Sequence, residues 1–459
     1  MQDALSDFPL RDEEGDIRPE FLHAVTDALE SGDTAHVRKL TRDLHEADLA
    51  DLLEVLRQDD RANLIEALGD EFKAAALPEL EEAVRDQVLE EMPPEQVAEA
   101  LQELESDEAV YLLEDLDRAE QQNILSKLPH FERLALQRSL EYPEDSAGRM
   151  MQTDLIAVPP FWSVGQTIDY MREADDLPER FYEIFVVDPA YHLIGCVALN
   201  KILRSKRPTQ MEAIIDEEMH PIPVATDQED VARRFERYNM NSAPVVDDDG
   251  RLVGVITADD IVEVVQEEAS EDILAMGGVG DESVADTVWE TTRLRFSWLV
   301  ANLITAILAS VVISFFEATI QQMVALAVLM PIVASMGGNA GTQTMTVAVR
   351  ALATHDLGPA NAIRVIWREC AVGLLNGLLF AVIMAAIAIF WFGSDGLGLV
   401  IGVAMVVNLF AAALAGILIP LGLDALDLDP AIASGVFVTT VTDVVGFFAF
   451  LGLAALWLA

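Results

Sequence analysis

An aspartate inside an apolar segment is the first residue of this chain that could do chemistry. Ile432 to Ala459 is long enough to cross a bilayer, which takes about 20 apolar residues as a helix, and Thr439-Thr440-Val441-Thr442-Asp443 lies in its interior. An acid at that depth costs about 2.5–3.5 kcal/mol on insertion scales and faces protein or water rather than lipid. Helical spacing puts Gly435, Thr439, Thr442, Asp443 and Gly446 along one face, with Phe437, Val441, Val444 and Phe448 largely on others. A packed helix face would accept this stripe. A cation site is favoured, because oxygens and small residues surround the acid.

A second polar cluster, Ser335-Met336-Gly337-Gly338-Asn339-Ala340-Gly341-Thr342-Gln343-Thr344, follows an apolar run containing Pro331. Each glycine weakens a helix by about 1 kcal/mol and lets backbones approach closely. Small-residue packing competes with a pore wall here, and the added Asn, Gln and Thr favour the wall. A third set is purely acidic: Glu263, Glu267, Glu268, Glu271 and Asp272 crowd one predicted helix, Ile261 to about Ala275, which Met276-Gly277-Gly278-Val279-Gly280 ends.

Composition says what must carry these groups. The chain has 459 residues, 52% hydrophobic, yet 78 acids against 29 bases leave a net charge of −49. A single globule does not reconcile those facts; an acidic half joined to an apolar half does. The lysines are few (Lys39, Lys73, Lys127, Lys201, Lys206), and an acid-rich, lysine-poor surface suits a halophile's cytoplasm, where molar salt shortens screening to about 3 Å. It also suits collecting divalent cations, and it excludes nucleic acid as a partner. Cys196 and Cys370 fall in different predicted domains, so no disulfide is expected, and the seven histidines show no zinc spacing. The acidic, polar start carries no signal peptide, so the amino terminus is expected in the cytoplasm.

Residues 18–140 read as short amphipathic helices punctuated by Pro78, Pro93-Pro94 and Pro129, loosely repeated as a small α-solenoid whose acids form mostly a solvated face. From about 150 to 269 strands alternate with helices. Glu183–Asp188 followed by Leu193–Val197 returns as Ala243–Asp247, a turn at Asp248-Asp249-Gly250, and Leu252–Thr257. By themselves these strands say only that a small α/β module is repeated. An amphipathic stretch, Ser283–Arg295, then leads to five apolar spans near 296–316, 322–349, 368–392, 397–422 and 432–459. After Arg295 the basic residues are Arg350, Arg364 and Arg368, between the second and third spans, so that loop is cytoplasmic, as are Arg293 and Arg295. The carboxyl terminus is then outside, and the acidic loop Asp424–Asp429 is cytoplasmic.

These phrases carry a resemblance. The α/β repeat resembles a pair of CBS domains; Gly254-Val255-Ile256-Thr257-Ala258-Asp259-Asp260 is similar to that family's ribose-gripping signature, whereas Ala198-Leu199-Asn200-Lys201 in the first copy departs from it. Pro331, Gly337–Gln343 and Arg350-Ala351-Leu352-Ala353 resemble the pore helix of the MgtE family of magnesium channels, and Asp429-Pro430-Ala431 with Thr440–Gly446 resembles its final helix. The resemblance implies a multidomain membrane protein: an α-solenoid-like amino-terminal domain (18–140), an α/β CBS pair (146–208 and 209–269), an acidic linker or plug helix (261–290) and a five-helix transmembrane domain (291–459).

It further implies a homodimer in a cytoplasmic membrane, importing Mg²⁺ through a pore between the second and fifth spans. Asp443 matches the selectivity acid, Asn339 and carbonyls near Thr439 frame it, Gly337, Gly338 and Gly341 line the pore, and Asp429 stands at the cytoplasmic mouth. Asp227, Glu229, Asp260, Glu263, Glu268, Glu271 and Asp272 fall on regulatory Mg²⁺ positions, with Glu95 and Glu99 matching the helical domain's share. Asn239 replaces a family acid, and Asp424 and Asp427 stand where the family often has bases. Thr257 and Asp260 are the candidates for one adenine nucleotide, such as ATP, per chain. Mg²⁺ bridging of the acids would close the pore. A cation-coupled secondary transporter is the alternative, with Asp443 as a protonatable carrier site; a membrane-anchored nucleotide sensor would need neither Asn339 nor Asp443. No nucleophile–base pair, P-loop or zinc set points to an enzyme.

Overall fold

The computed structural model describes residues 10–12, 15, 17–114, 116–174, 177–178, 180–216, 218–280, 282, 287–426 and 428–458. Asp427, Ala459 and the first residues of the Ser283–Arg295 stretch lie outside the described residues. The chain divides into two compact units, Met1–Glu267 and Glu268–Ala459.

The first unit opens with short helices, Pro19–Glu30 through His130–Ser139, packed mainly on near neighbours in sequence. Local chemistry starts them. Pro19 and Pro94 occupy first turns, where a missing N–H costs nothing, and Asp117 accepts from the Ala119 and Glu120 amides at 2.8 and 2.9 Å. Leu52, Leu53, Leu64, Leu77, Leu112 and Leu113 are fully buried along the stack. The next part holds two three-stranded sheets of identical order. β1 (Ala157–Val158) runs parallel to β2 (Glu183–Val187), which is antiparallel to β3 (Leu193–Ala198); β4 (Ile222–Pro223), β5 (Ser242–Val246) and β6 (Leu252–Thr257) repeat the arrangement. Even the register shifts correspond, at Val186/Val187 and Val245/Val246. The repeated phrase in the sequence is therefore a repeated sheet.

Helix Ala258–Gly277 starts in the first unit and ends in the second, three residues earlier and two later than its apolar pattern marks; Gly278, at φ +69°, terminates it. The second unit holds five helices long and apolar enough to cross a membrane: Thr291–Ser314, Ala325–Ala353, Ala362–Phe392, Asp395–Asp424 and Pro430–Trp457. The fourth packs on the second, third and fifth and is the most enclosed, 61% of its apolar window being buried against 6% for the first. Val400, Ile401, Ala404, Met405 and Leu409 of this helix form the centre of the core with Leu326, Leu329, Val333, Phe450 and Leu451. Ser394 caps the fourth span through the Leu397 amide (3.3 Å), and Asp429 caps the fifth through the Ala431 amide (2.7 Å) beside Pro430 at its first turn.

Candidate functional site

In the fifth span the threonine hydroxyls turn back to their own helix. Thr439 donates to the Gly435 carbonyl at 2.6 Å, Thr440 to Val436 at 2.6 Å and Thr442 to Thr439 at 3.0 Å. The stripe read along this helix splits in two. Thr442 and Gly446 are buried against neighbouring spans, while Thr439 and Asp443 stay half-buried and Gly435 meets nothing within 4 Å. Among the described residues no hydrogen bond or ion pair reaches the Asp443 carboxylate.

The second span runs as one helix through Pro331 and its glycines. Ser335, Asn339, Thr342, Gln343 and Thr346 form a single exposed polar row on it, and Val333, Gly337, Gly341, Thr344, Met345 and Ala348 form the buried face. Helical phase groups each row on one face, and the spans packed against the helix decide which face is buried. That division corrects the placement of two glycines. A methyl group at Gly341 would stand 2.6 Å from Val438 Cγ1, and one at Gly337 would stand 2.3 Å from Asn408 Nδ2, so both are packing positions between spans. Gly338 faces open space. Asn408, missed in the sequence because one amide in a long apolar span carries no pattern, is wholly buried; its Nδ2 donates to the Val333 carbonyl at 2.8 Å and its Oδ1 has no partner among the described residues. A buried acceptor left unmade costs about 1–3 kcal/mol.

The first unit holds an acidic cavity of about 610 Å³. Glu105, Asp107 and Glu108, at the start of helix Ser106–Glu114, meet Asp259, Asp260, Glu263 and Glu267 from helix Ala258–Gly277, and His45, Arg149 and Arg180 are among the lining too. Thr257 donates from its amide and hydroxyl to Asp260 Oδ2 at 2.8 and 2.9 Å. Gln152 donates to Glu105 at 2.5 Å, and the Tyr111 hydroxyl reaches Glu267 at 3.3 Å beneath the Arg85 guanidinium, which lies 4.2 Å from its ring. Burial, then the crowd of like charge, holds these carboxyls above their ordinary range: Asp107 well up, Asp260 up to about 6 and Glu263 up to about 7.

The remaining acids named from the sequence do not line this cavity. Glu95 and Glu99 are exposed, and Lys127 pairs with Glu95 at 2.6 Å, which holds that carboxyl below its ordinary range. Glu105, Asp107 and Glu108 occupy the place expected of them; in the sequence these looked like one more solvated helix face. Asp227 caps helix Gln228–Tyr238 through the Glu229 amide (3.0 Å), and Glu229 pairs with Arg233 at 3.0 Å. Asn239 ends that helix at φ 50°, ψ 50°, a left-handed conformation that asparagine tolerates. Glu268, Glu271 and Asp272 lie on the following turns of Ala258–Gly277, within the second unit. Asp429, expected at a pore mouth, is exposed and serves as the cap of the fifth span. Carboxylate oxygens are the donors Mg²⁺ prefers, but among the described residues no three acids, histidines or cysteines form a ready ligand set. The cavity fits a hydrated ion bridged between helices and does not fit an all-protein cage.

The chain matches three family descriptions in order: an MgtE intracellular N domain at residues 44–145, a CBS domain at 212–267 and the MgtE divalent cation transporter at 330–453. It is 32% identical over 324 residues to the magnesium transporter MgtE of Bacillus subtilis (strain 168), covering 70% of this chain and 72% of that protein. It is 35% identical over 332 residues to the magnesium transporter MgtE of Thermus thermophilus, covering 71% and 73% respectively. A solved structure of the soluble part of a magnesium transporter is 29% identical, covers 55% of this chain and 98% of that one, and superposes with a TM-score of 0.49. With relatives at 32 and 35% identity covered over more than two thirds of their length, and family matches falling in the helical domain, the second sheet and the apolar helices, the chain belongs to the MgtE family of transporters.

Proposed function

We propose that this protein is one subunit of a homodimeric, Mg²⁺-selective channel of the cytoplasmic membrane. One observation carries the reading: a half-buried carboxylate, Asp443, with no partner among the described residues, on a span packed against a helix that exposes a polar row. Lipid is a poor neighbour for Asn339 and Gln343, so the row asks for water or a second copy of itself. Two carboxylates facing each other across a dimer would hold Mg²⁺ through its water shell, which the ion gives up reluctantly. The arginines flanking the first, second and third spans set the cytosolic side, so the amino-terminal unit is cytoplasmic and the carboxyl terminus outside.

Regulation follows from the acidic cavity. Its carboxylates repel one another when no cation is present, and a divalent ion bridging them would favour the closed arrangement by binding it better. Helix Ala258–Gly277 supplies one wall and then continues with Glu268, Glu271 and Asp272. The mutual hold of Thr257 and Asp260 fits them to a ribose, with one adenine nucleotide per chain at the second sheet. The deciding experiment is electrical recording of the purified protein in lipid with Mg²⁺ varied on each side. Single-channel currents that fall as cytoplasmic Mg²⁺ rises are expected; saturable, proton-dependent flux without unitary currents would instead establish a coupled transporter.

A further inference from the structure

Asn408 sits at the middle of the most enclosed span, 0% exposed, in a position where an apolar residue of the same size would avoid burying an amide. What the amide adds is direction. Its Nδ2 bonds the Val333 carbonyl of the second span at 2.8 Å. On either side it is walled by glycine: a Cβ at Gly337 would stand 2.3 Å from Nδ2 and 3.0 Å from Oδ1, and one at Gly446 would stand 2.8 and 3.1 Å away. The Cα hydrogens at those places therefore point at the carboxamide, weak donors at most for an Oδ1 that has no other partner among the described residues. One planar group thus wedges between the second and fifth spans and is bonded to the second.

The level of this wedge matters. Gly446 follows Asp443 by about one helical turn, and Gly337 precedes Asn339 by two residues. We propose that Asn408 is a positioning residue of the ion path, setting the separation of the second and fifth spans and hence the spacing of Asp443 and Asn339. The proposal rests on the conduction reading above. It predicts that Asn408 governs which ion passes, although it touches none.

The test uses the full-length protein in liposomes of defined phospholipid, scoring Mg²⁺ influx, the Mg²⁺ to Ca²⁺ influx ratio and the thermal midpoint. Asn408→Leu keeps the number and branching of the side-chain heavy atoms and removes the bond; with the midpoint near wild type, the influx ratio should fall at least tenfold. A folded Asn408→Leu with the wild-type ratio overturns the clamp. Should Asn408→Leu not fold, Gly337→Ala decides: its methyl collides with the carboxamide, so Gly337→Ala/Asn408→Ser should transport at least tenfold better than Gly337→Ala alone. A pair no better than the single change overturns the clamp as well. Asp443→Asn separates the two claims. If it keeps the wild-type ratio, the conduction reading and the clamp fall together; if it loses the ratio while Asn408→Leu keeps it, only the clamp falls.

Discussion

At the scale of single residues, three carboxylates are placed to behave unlike ordinary ones. Asp443 stands half-buried in a membrane helix with no partner among the described residues. Replacing it by Asn keeps the shape and removes the charge, so the preference for Mg²⁺ over monovalent cations should fall by roughly two orders of magnitude, about 2.7 kcal/mol. Reversal potentials in bi-ionic solutions measure this directly, and an unchanged preference in a folded protein would contradict the assignment. In the cavity, Asp260 at about 6 and Glu263 at about 7 lie above their ordinary values, chiefly through burial. A carboxyl raised on folding supports the folded packing fully below its ordinary pKa, and that support is lost as pH rises through about 6 to 7. Without divalent ions, helices Ser106–Glu114 and Ala258–Gly277 should therefore loosen across that window, read by hydrogen exchange. Mg²⁺ binding should release protons at about pH 6.5 and nearly none at about pH 8.5, read by calorimetry in two buffers of different ionisation heat. Equal release at both values would place the bound ion elsewhere.

Elements show where the sequence is legible. Length and hydropathy place every span, and the phrase around Gly254 places the second sheet, because each depends on runs of residues within one element. Phase is harder. The small and polar residues from Gly337 to Thr344 look alike as a list, yet the helix sends Asn339, Thr342 and Gln343 outward and Gly337, Gly341 and Thr344 inward. Only the partners across the interface, Val438 and Asn408, decide that, and they lie far along the chain. Single cysteines should report it in a Cys370→Ser background: Asn339→Cys, Thr342→Cys and Gln343→Cys should react quickly with charged thiol reagents, and Gly341→Cys and Thr344→Cys slowly. Uniform reactivity would deny the packing described above. The glycines should divide in the same way. Gly341→Ala drives a methyl into Val438 and should cost about 1–3 kcal/mol, while Gly338→Ala meets nothing within 4 Å and should leave the thermal midpoint close to wild type. The cavity acids were obscured for a related reason: Asp107 and Glu108 begin an acidic helix like several others, and only the cavity it shares with Asp259, Asp260, Glu263 and Glu267 sets it apart.

For the whole molecule, a net charge of −49 is a standing repulsion that salt relieves. The thermal midpoint should climb as KCl is raised from about 0.1 M toward 1 M, where the screening length falls from about 10 to about 3 Å; a flat response would remove the halophilic reading of the surface. Deleting residues 1–270 should abolish inhibition by cytoplasmic Mg²⁺ and leave conduction, and a truncated channel that still closes would move the sensor into the membrane half. The enclosed fourth span has one more consequence, for synthesis. The second span is the least hydropathic of the set, at 1.3 against 2.5 for the third and fourth, and its buried face meets the fourth more than any other span, a helix that leaves the ribosome much later. Until then that helix must wait in or beside the bilayer with its glycine face open and its polar row unhydrated. Nascent chains halted before Asp395 should insert the second span poorly, and chains extended past Asp424 should insert it fully. Assembly of the bundle is then timed by translation of its penultimate helix.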